Sequence, residues 1–328
     1  MAHRVTDDGA RRRVVLIMPS WLGDCVMAMP VVHALLDPSA RCGLTLALPG
    51  AFMPAVAGVP VDACVHRPRS MIAAIRARDL RPRFDCAIVL PNSLSSAVHA
   101  KVAFRPDELV GRQSAARRLL LNRPVKVAHD LHSLPTIDLY CLIAESWLGR
   151  PIADRTPRLP VTDLDRIAAQ RALGTLAEQE RRMVVLNPGA SRESKRWPAT
   201  RYREIALRLA AAGYRVVVAG APAERALCAS VCDGNPDAVN LADSGAGLGG
   251  LRAVLASAVL LVTNDTGTRH LAAAVGCPWV CVFGSEPSIL SRWPHDSGIE
   301  IVPSDGRCDS VTTDSVWEAI VGMVSPTP

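Results

Sequence analysis

The sequence predicts an α/β protein built from two Rossmann-like halves, each a parallel sheet with helices on both faces. Three observations carry this. Short apolar runs such as Val14-Val-Leu-Ile-Met18 and Met183-Val-Val-Leu-Asn187 alternate with longer stretches of helical spacing. The runs end in Asn, Ser, Gly and Pro, the residues of tight turns and helix caps. A polar segment holding Pro151, Pro157 and Pro160 separates two such series.

The chain has 328 residues, 49% of them hydrophobic, enough for two domains. No apolar run reaches the roughly 18 residues that cross a bilayer. Residues 1–13 are polar and lack the apolar stretch of a secretory signal. Ten cysteines are scattered, and no C-x-x-C occurs. That pattern fits a reducing cytoplasm better than a disulfide framework or a zinc site. Net charge is +6. Of 37 basic residues only Lys101, Lys126 and Lys195 are lysines, so a lysine departs from the chain's own habit. The basic excess suits an anionic substrate or membrane surface, and equally a solvated exterior. Aromatic residues, at 4%, are too few to stack single-stranded nucleic acid.

In chain order, residues 14–18 form a buried strand, followed by the loop Pro19-Ser-Trp-Leu-Gly-Asp24. Helical spacing then links Val26, Met27, Val31, Leu35 and Leu36. Pro30 is tolerated only in a first turn, so the helix either starts near Val26 or kinks at Pro30. Strands are expected at 44–48, 63–65 and 84–90, and helices at 71–78 and 94–104. Residues 149–163 read as the linker. The second series is a helix at 164–179, a strand at 183–187, a helix at 202–212 and a strand at 215–219. A helix at 224–231, a short strand near Ala238 and a helix at 248–256 follow. The stretch Leu260-Leu-Val-Thr-Asn-Asp-Thr-Gly-Thr-Arg-His270 is a strand that stops at a cluster of turn-formers and enters a helix. Strands at 279–283 and 299–302 and a helix at 313–324 complete the chain.

Four loops close strands: 19–24, 91–95, 187–197 and 264–270. In α/β sheets such loops line the ligand crevice. The turn at Asn264-Asp-Thr-Gly267 sets unpaired N–H groups and a positive helix end at a strand's carboxyl end, as a phosphate requires; an ordinary capped turn reads the same way. Asp24 is a helix N-cap or a carboxylate able to take a proton from a hydroxyl. The long loop 187–198 sets Lys195 beside Arg196, as solvated charge or as cations for a diphosphate. Glu224 caps its helix or accepts from a ribose. His270 is a structural residue or a donor to phosphate. Asp163-Leu-Asp165 has the spacing of a metal-binding D-x-D but starts a helix, where Asp caps are expected. No G-x-G-x-x-G follows the first strand and no P-loop occurs.

Together these loops resemble glycosyltransferase family 9, the ADP-heptose:lipopolysaccharide heptosyltransferases, and most of all its heptosyltransferase II group. The matching pieces are Met18-Pro-Ser-Trp-Leu-Gly-Asp24, Phe84-Asp-Cys-Ala-Ile-Val-Leu-Pro-Asn-Ser93, Asn187-Pro-Gly-Ala190 with Lys195-Arg-Trp-Pro198, and Thr263-Asn-Asp-Thr-Gly267 with His270. The resemblance implies a GT-B fold, two Rossmann-like α/β/α domains facing across a cleft. Residues 1–160 would hold the acceptor and 161–328 the nucleotide-sugar donor. It implies inverting transfer of a heptose from ADP-heptose to a lipopolysaccharide inner-core acceptor, with no cofactor and no metal. Asp24 is then the general base and Lys195 a contact to the donor phosphates. Ser191, Arg196, Asn264, Asp265, Thr266, Gly267 and His270 join the donor side, with Glu224 at the ribose. Ser20, Trp21, Gly23, Asn92 and Ser93 face the acceptor. The expected partners are the nucleotide sugar and a lipid-linked acceptor, with no nucleic acid and no transmembrane segment. The expected location is cytoplasmic, peripheral on the inner face of the cytoplasmic membrane. Another nucleotide sugar or acceptor, or a nucleotide-sugar epimerase, fits the same two-domain form. Arg269 stands where the family usually has an apolar residue, and Cys25 where Met or Val is commoner.

Overall fold

The computed structural model describes residues 11–78, 80–127, 133–174, 182–284, 288–293 and 298–324. Its frame is two parallel sheets of six strands. The first contains β1 (Arg12–Ile17), β2 (Cys42–Leu48), β3 (Ala63–His66), β4 (Cys86–Val89), β5 (Glu108–Arg112) and β6 (Arg123–Val125), in the order β3-β2-β1-β4-β5-β6. The second contains β7 (Met183–Asn187), β8 (Arg215–Val218), β9 (Val239–Asn240), β10 (Leu260–Asn264), β11 (Trp279–Val282) and β12 (Gly298–Ile301), in the order β12-β11-β10-β7-β8-β9. Both sheets wind outward from one central strand and then back from its neighbour. The winding therefore reverses between β1 and β4, and again between β7 and β10. Registers there are Val14 opposite Cys86 and Leu261 opposite Val185.

The central strands are apolar on both faces because helices cover both. In β1, Val14 and Leu16 enter one core while Val15 and Ile17 enter another, the period-two alternation of a strand. The core of Val14 and Leu16 also takes Val185 and Leu261, so one apolar cluster runs through both units.

The helix expected near Val26 is two helices, α1 (Leu22–Met27) and α2 (Met29–Leu36), broken at Ala28. Pro30 lies in the first turn of α2, where a missing N–H costs nothing. α3 (Met71–Arg78) and α4 (Leu94–Phe104) have the expected bounds. Residues 105–148 carry no assignment from the sequence, yet hold β5, β6 and α5 (Thr136–Leu148). β6 is three residues with a central proline, tolerable at a sheet edge and nearly silent in pattern. α5 was legible: Ile137, Tyr140, Cys141, Ala144 and Trp147 have helical spacing, and Gly149 ends it with φ 69°.

After the linker, α6 (Asp163–Leu173) begins at Thr162, which forms a capping box with Asp165. The cap is thus Thr162 rather than Asp163. Asp165 also pairs with the buried Arg252, whose other amino group donates to Ala55 O at 2.6 Å. The D-x-D spacing is thereby absorbed by structure. Residues 175–179 of the expected helix lie outside the described residues. The rest follows as α7 (Ala199–Ala211), α8 (Arg225–Cys232), α9 (Gly247–Ser257), α10 (Gly267–Ala274) and α11 (Thr313–Met323). Among the described residues no helix is long and apolar enough to cross a membrane.

Candidate active site

The four loops singled out in the sequence follow β1, β4, β7 and β10, the strands at which each winding reverses. Helices leave such a point to opposite sides, which opens a crevice at the strands' carboxyl ends. The two crevices meet where α1 abuts α10. A methyl on Gly23 would lie 2.7 Å from His270 Cδ2, and one on Gly267 would lie 2.9 Å from Leu22 Cβ. Glycine is required on both sides because two helix starts come this close.

On the first wall, Asp24 occupies the first turn of α1, and the N-cap is Trp21, so Asp24 is not the cap. Burial raises its carboxyl to about 6, since little solvent is left to support the charge. Trp21 is 66% exposed, an unusual position for an indole. Beside it a cleft of about 280 Å³ is lined by Ser20, Arg67, Arg69, Ser93, Ser95 and His99. Arg67 donates to Met18 O at 2.7 Å and also to Ser20 Oγ, which ties the end of β3 to the loop after β1. Ser93 caps α4 by accepting from Ser96 N at 3.2 Å, and Asn92 Oδ1 accepts from Arg112.

On the second wall, Lys195 Nζ lies 3.1 Å from Asp265 Oδ2, and both side chains are 15% exposed. Asp265 Oδ1 lies 3.6 Å from the Arg269 guanidinium, which is buried against the faces of Trp279 and Phe283. Thr266 is the N-cap of α10, with Gly267 first in the helix. Of the opening N–H groups of α10, that of Arg269 donates to Thr266 O at 3.2 Å, while those of Gly267 and Thr268 precede the first turn and have no acceptor within the helix.

Asn264 has a different task from the ligand contact expected of it. Its amide donates to Pro188 O and Gly189 O at 2.9 and 3.1 Å, and its Oδ1 accepts from Trp197 N at 3.0 Å. It is fully buried and shapes the loop after β7. Asn187 does likewise, reaching Thr266 Oγ1 at 3.4 Å and accepting from Thr268. Arg196 is exposed and donates to Ala190 O within its own loop, and Ser191 is exposed beside it. Glu224 caps its own turn by accepting from Ala221 N at 2.9 Å. Its carboxyl also lies against Gly189, where any side chain would overlap it, so the loops after β7 and β8 share one surface.

His270 is held by Trp293, whose Nε1 lies 2.8 Å from His270 Nδ1. An indole N–H can only donate, so Nδ1 accepts and the ring hydrogen sits on Nε2, on the side of Gly23. Arg269 Nη2, 3.5 Å from Nε2, then gives its hydrogen bond to Ser291 O at 2.9 Å instead. Burial first, then Arg269 and Lys195, push its pKa well below 6.5. The ring is therefore a neutral donor.

The sequence reading missed Arg67, Arg69, His99, Arg269 and Trp293. Arg67-Pro-Arg69 directly after a short strand was an available signal. Arg269 stood out only as a charge where the family usually has an apolar residue, and Trp293 carried no signal, because its partner His270 is distant in sequence. A larger cavity, about 460 Å³, lies at the amino ends of β7 and β8, away from these loops.

A sequence model of glycosyltransferase family 9 (heptosyltransferase) matches residues 74–308. Lipooligosaccharide heptosyltransferase 2 of Haemophilus influenzae is 29% identical over 83% of this chain and 83% of its own length. Among solved structures, ADP-heptose lipopolysaccharide heptosyltransferase II of Escherichia coli superposes with a TM-score of 0.80 at 24% identity, covering 95% of this chain and 98% of that one. A more distant likeness, TM-score 0.58 at 12% identity over 95% of this chain and 78% of the other, is to the iron-containing dodecameric glycosyltransferase TibC of enterotoxigenic Escherichia coli.

Proposed function

This chain belongs to glycosyltransferase family 9 and has its GT-B fold, and from that premise we propose that it transfers a heptose from ADP-heptose to a lipopolysaccharide inner-core acceptor. The observation that carries the reading is the pairing of two opposed walls. A half-buried carboxylate, Asp24, stands on one, and a cationic cluster at the start of α10 stands on the other.

The chemistry needs both. An acceptor hydroxyl oxygen attacks the anomeric carbon from the face opposite the diphosphate. The new C–O bond forms as the bond to the diphosphate breaks, which inverts the configuration. The hydroxyl proton passes to Asp24, and ADP leaves with the bonding pair. A base with a pKa of about 6 is ionised at neutral pH yet basic enough to accept that proton. Asp265, the other carboxylate of the cluster, is held between Lys195 and Arg269 and is not available as base. Lys195 and the opening N–H groups of α10 receive the charge growing on the diphosphate, so the transfer proceeds without a metal.

Residues 1–160 hold the acceptor and 161–328 the donor. Glu224 meets the ribose, and the Arg67 cleft takes the polar, acidic end of the acceptor. The enzyme works in the cytoplasm, peripheral on the inner face of the membrane. The deciding experiment incubates the protein with ADP-heptose, with and without a truncated lipopolysaccharide core, and reads product by mass and anomeric configuration by NMR. Transfer with inversion is expected. Retention, or conversion of the sugar nucleotide without acceptor as an epimerase would give, overturns it.

A further inference from the structure

The formal excess of charge on the chain, +6, equals that of residues 67–105 alone, which carry eight Arg and Lys against two acids. This segment includes α3, a helix with almost no buried face: of its eight residues only Ala74 is buried, against the neighbouring α4. Ile72 and Ile75, three apart and so on one side of the helix, are 65% and 52% exposed. Met71, at 39%, and Leu94, which opens α4, at 44%, add to the apolar surface. Arg76 and Arg78 on the same helix, and Arg69 two residues before it, are exposed. The two isoleucines stand in water on a helix otherwise of Met, Ala and Arg and belong to none of the apolar clusters. Apolar side chains ringed by arginines are the composition of a helix that lies in a lipid headgroup layer. The position agrees: α3 begins directly after Arg67-Pro68-Arg69, which line the 280 Å³ cleft of the first wall.

We propose that the Ile72–Ile75 face of α3, with Met71 and Leu94, docks on an anionic lipid bilayer. The isoleucines enter the boundary between headgroups and acyl chains. Arg69, Arg76 and Arg78 meet lipid phosphates, and the cleft opens at the surface where a lipid-linked acceptor presents its sugars. The inference rests on the acceptor proposed above and names the element that brings the enzyme to it.

The test is co-sedimentation of the full chain with vesicles of phosphatidylethanolamine and phosphatidylglycerol, beside vesicles of phosphatidylcholine alone. Wild type is expected to sediment with the anionic vesicles, less so as salt rises, and to stay behind with phosphatidylcholine. Ile72→Ser with Ile75→Ser is expected to weaken binding about tenfold or more, through lost apolar burial. Arg76→Glu is expected to weaken it by at least about fivefold, the effect of one cation near an anionic surface. Both variants should retain transfer to a delipidated acceptor. No sedimentation of wild type with anionic vesicles at low salt, or variants that bind as wild type does, overturns the proposal. So does a self-association of wild type that the isoleucine variant abolishes, since the face is then an interface between copies. Sedimentation needs neither donor nor acceptor, so its failure leaves the proposed transfer standing, and a chain that binds vesicles but transfers nothing fails only the other reading.

Discussion

Lys195 Nζ lies 3.1 Å from Asp265 Oδ2, so the cation on the second wall is held by a carboxylate at the start of α10. A diphosphate arriving there competes with Asp265 for the same ammonium. A compact, mobile charge suits that exchange better than a planar fork. Lys195→Arg should keep the fold and lose about 1–3 kcal/mol of transition-state stabilisation, as for one charged hydrogen bond. Lys195→Ala should lose more, mainly in kcat, because the leaving-group charge grows as the bond breaks. Steady-state kinetics at saturating acceptor decide it, and a Lys195→Arg enzyme equal to wild type removes Lys195 from the chemistry.

Arg269 is the second cation beside Asp265, 3.6 Å from its Oδ1, and on the proposed mechanism it remains there when Lys195 turns to the donor. Its guanidinium is buried, with Nε and Nη1 lacking a partner, so it has lost its hydration without full return. In an Arg269→Met variant Asp265 keeps its other partner, Lys195, and Met refills most of the buried volume, so no buried carboxylate is left unpaired. Arg269→Met should therefore fold with a Tm close to wild type while kcat/KM for the donor falls about tenfold. A parallel loss of Tm and activity would make Arg269 only a structural residue.

The raised pKa of Asp24 has two opposite consequences. As a base it must be ionised, so kcat/KM should fall as pH drops below about 6, and Asp24→Asn should lose about 10²-fold or more at neutral pH. For stability the sign reverses. A folded pKa above the unfolded value favours the protonated native state, so this stabilisation is complete below about 3.8 and is lost as pH rises through about 6. Asp24→Asn should then be more stable than wild type at pH 8, by about 1–3 kcal/mol, with the difference closing towards pH 4. Thermal melts across that range measure it, and no difference at pH 8 argues against the buried charge.

His270 should show no titration near pH 6, and its ring hydrogen should sit on Nε2, both visible by nitrogen-15 NMR. Gly23→Ala places a methyl 2.7 Å from its Cδ2. The start of α1 and that of α10 must then part, which should cost about 1–3 kcal/mol as overpacking and raise the donor KM. A variant that melts and binds as wild type does would mean the two helices separate freely.

Among the described residues no three His, Cys, Asp or Glu side chains gather as a metal site. Activity is expected to survive exhaustive EDTA treatment. Loss on chelation, restored by Mg²⁺, Mn²⁺ or iron, would replace Lys195 and α10 as the main support of the leaving group.

Much of the fold was legible because its signals are local. The strand runs at Val14 and Val184 are apolar on both faces, and Gly and Pro mark where α5 and α10 end. β6 was not, since three residues with a proline carry no period, and a neighbouring strand defines them. The turn from β10 into α10 was legible in Asn264-Asp-Thr-Gly267, where turn chemistry and a helix start coincide. The inner role of Asn264 was not, because its partners Pro188, Gly189 and Trp197 come from another strand's loop.

By itself the sequence determined the two α/β series and the four loops that close strands, since each depends on residues within about one helical turn or one strand of each other. Only the tertiary structure decided that those loops follow the strands where the windings reverse, and that Gly23 meets His270. Only it decided that Asp24 lies half-buried with a raised pKa, that Arg269 shares Asp265 with Lys195, and that Trp293 sets the hydrogen on His270. The reason is physical. A pKa, a tautomer and an ion pair depend on dielectric surroundings and on atoms a few ångströms away, and those neighbours are brought together from distant parts of the chain only when both sheets pack on their shared core.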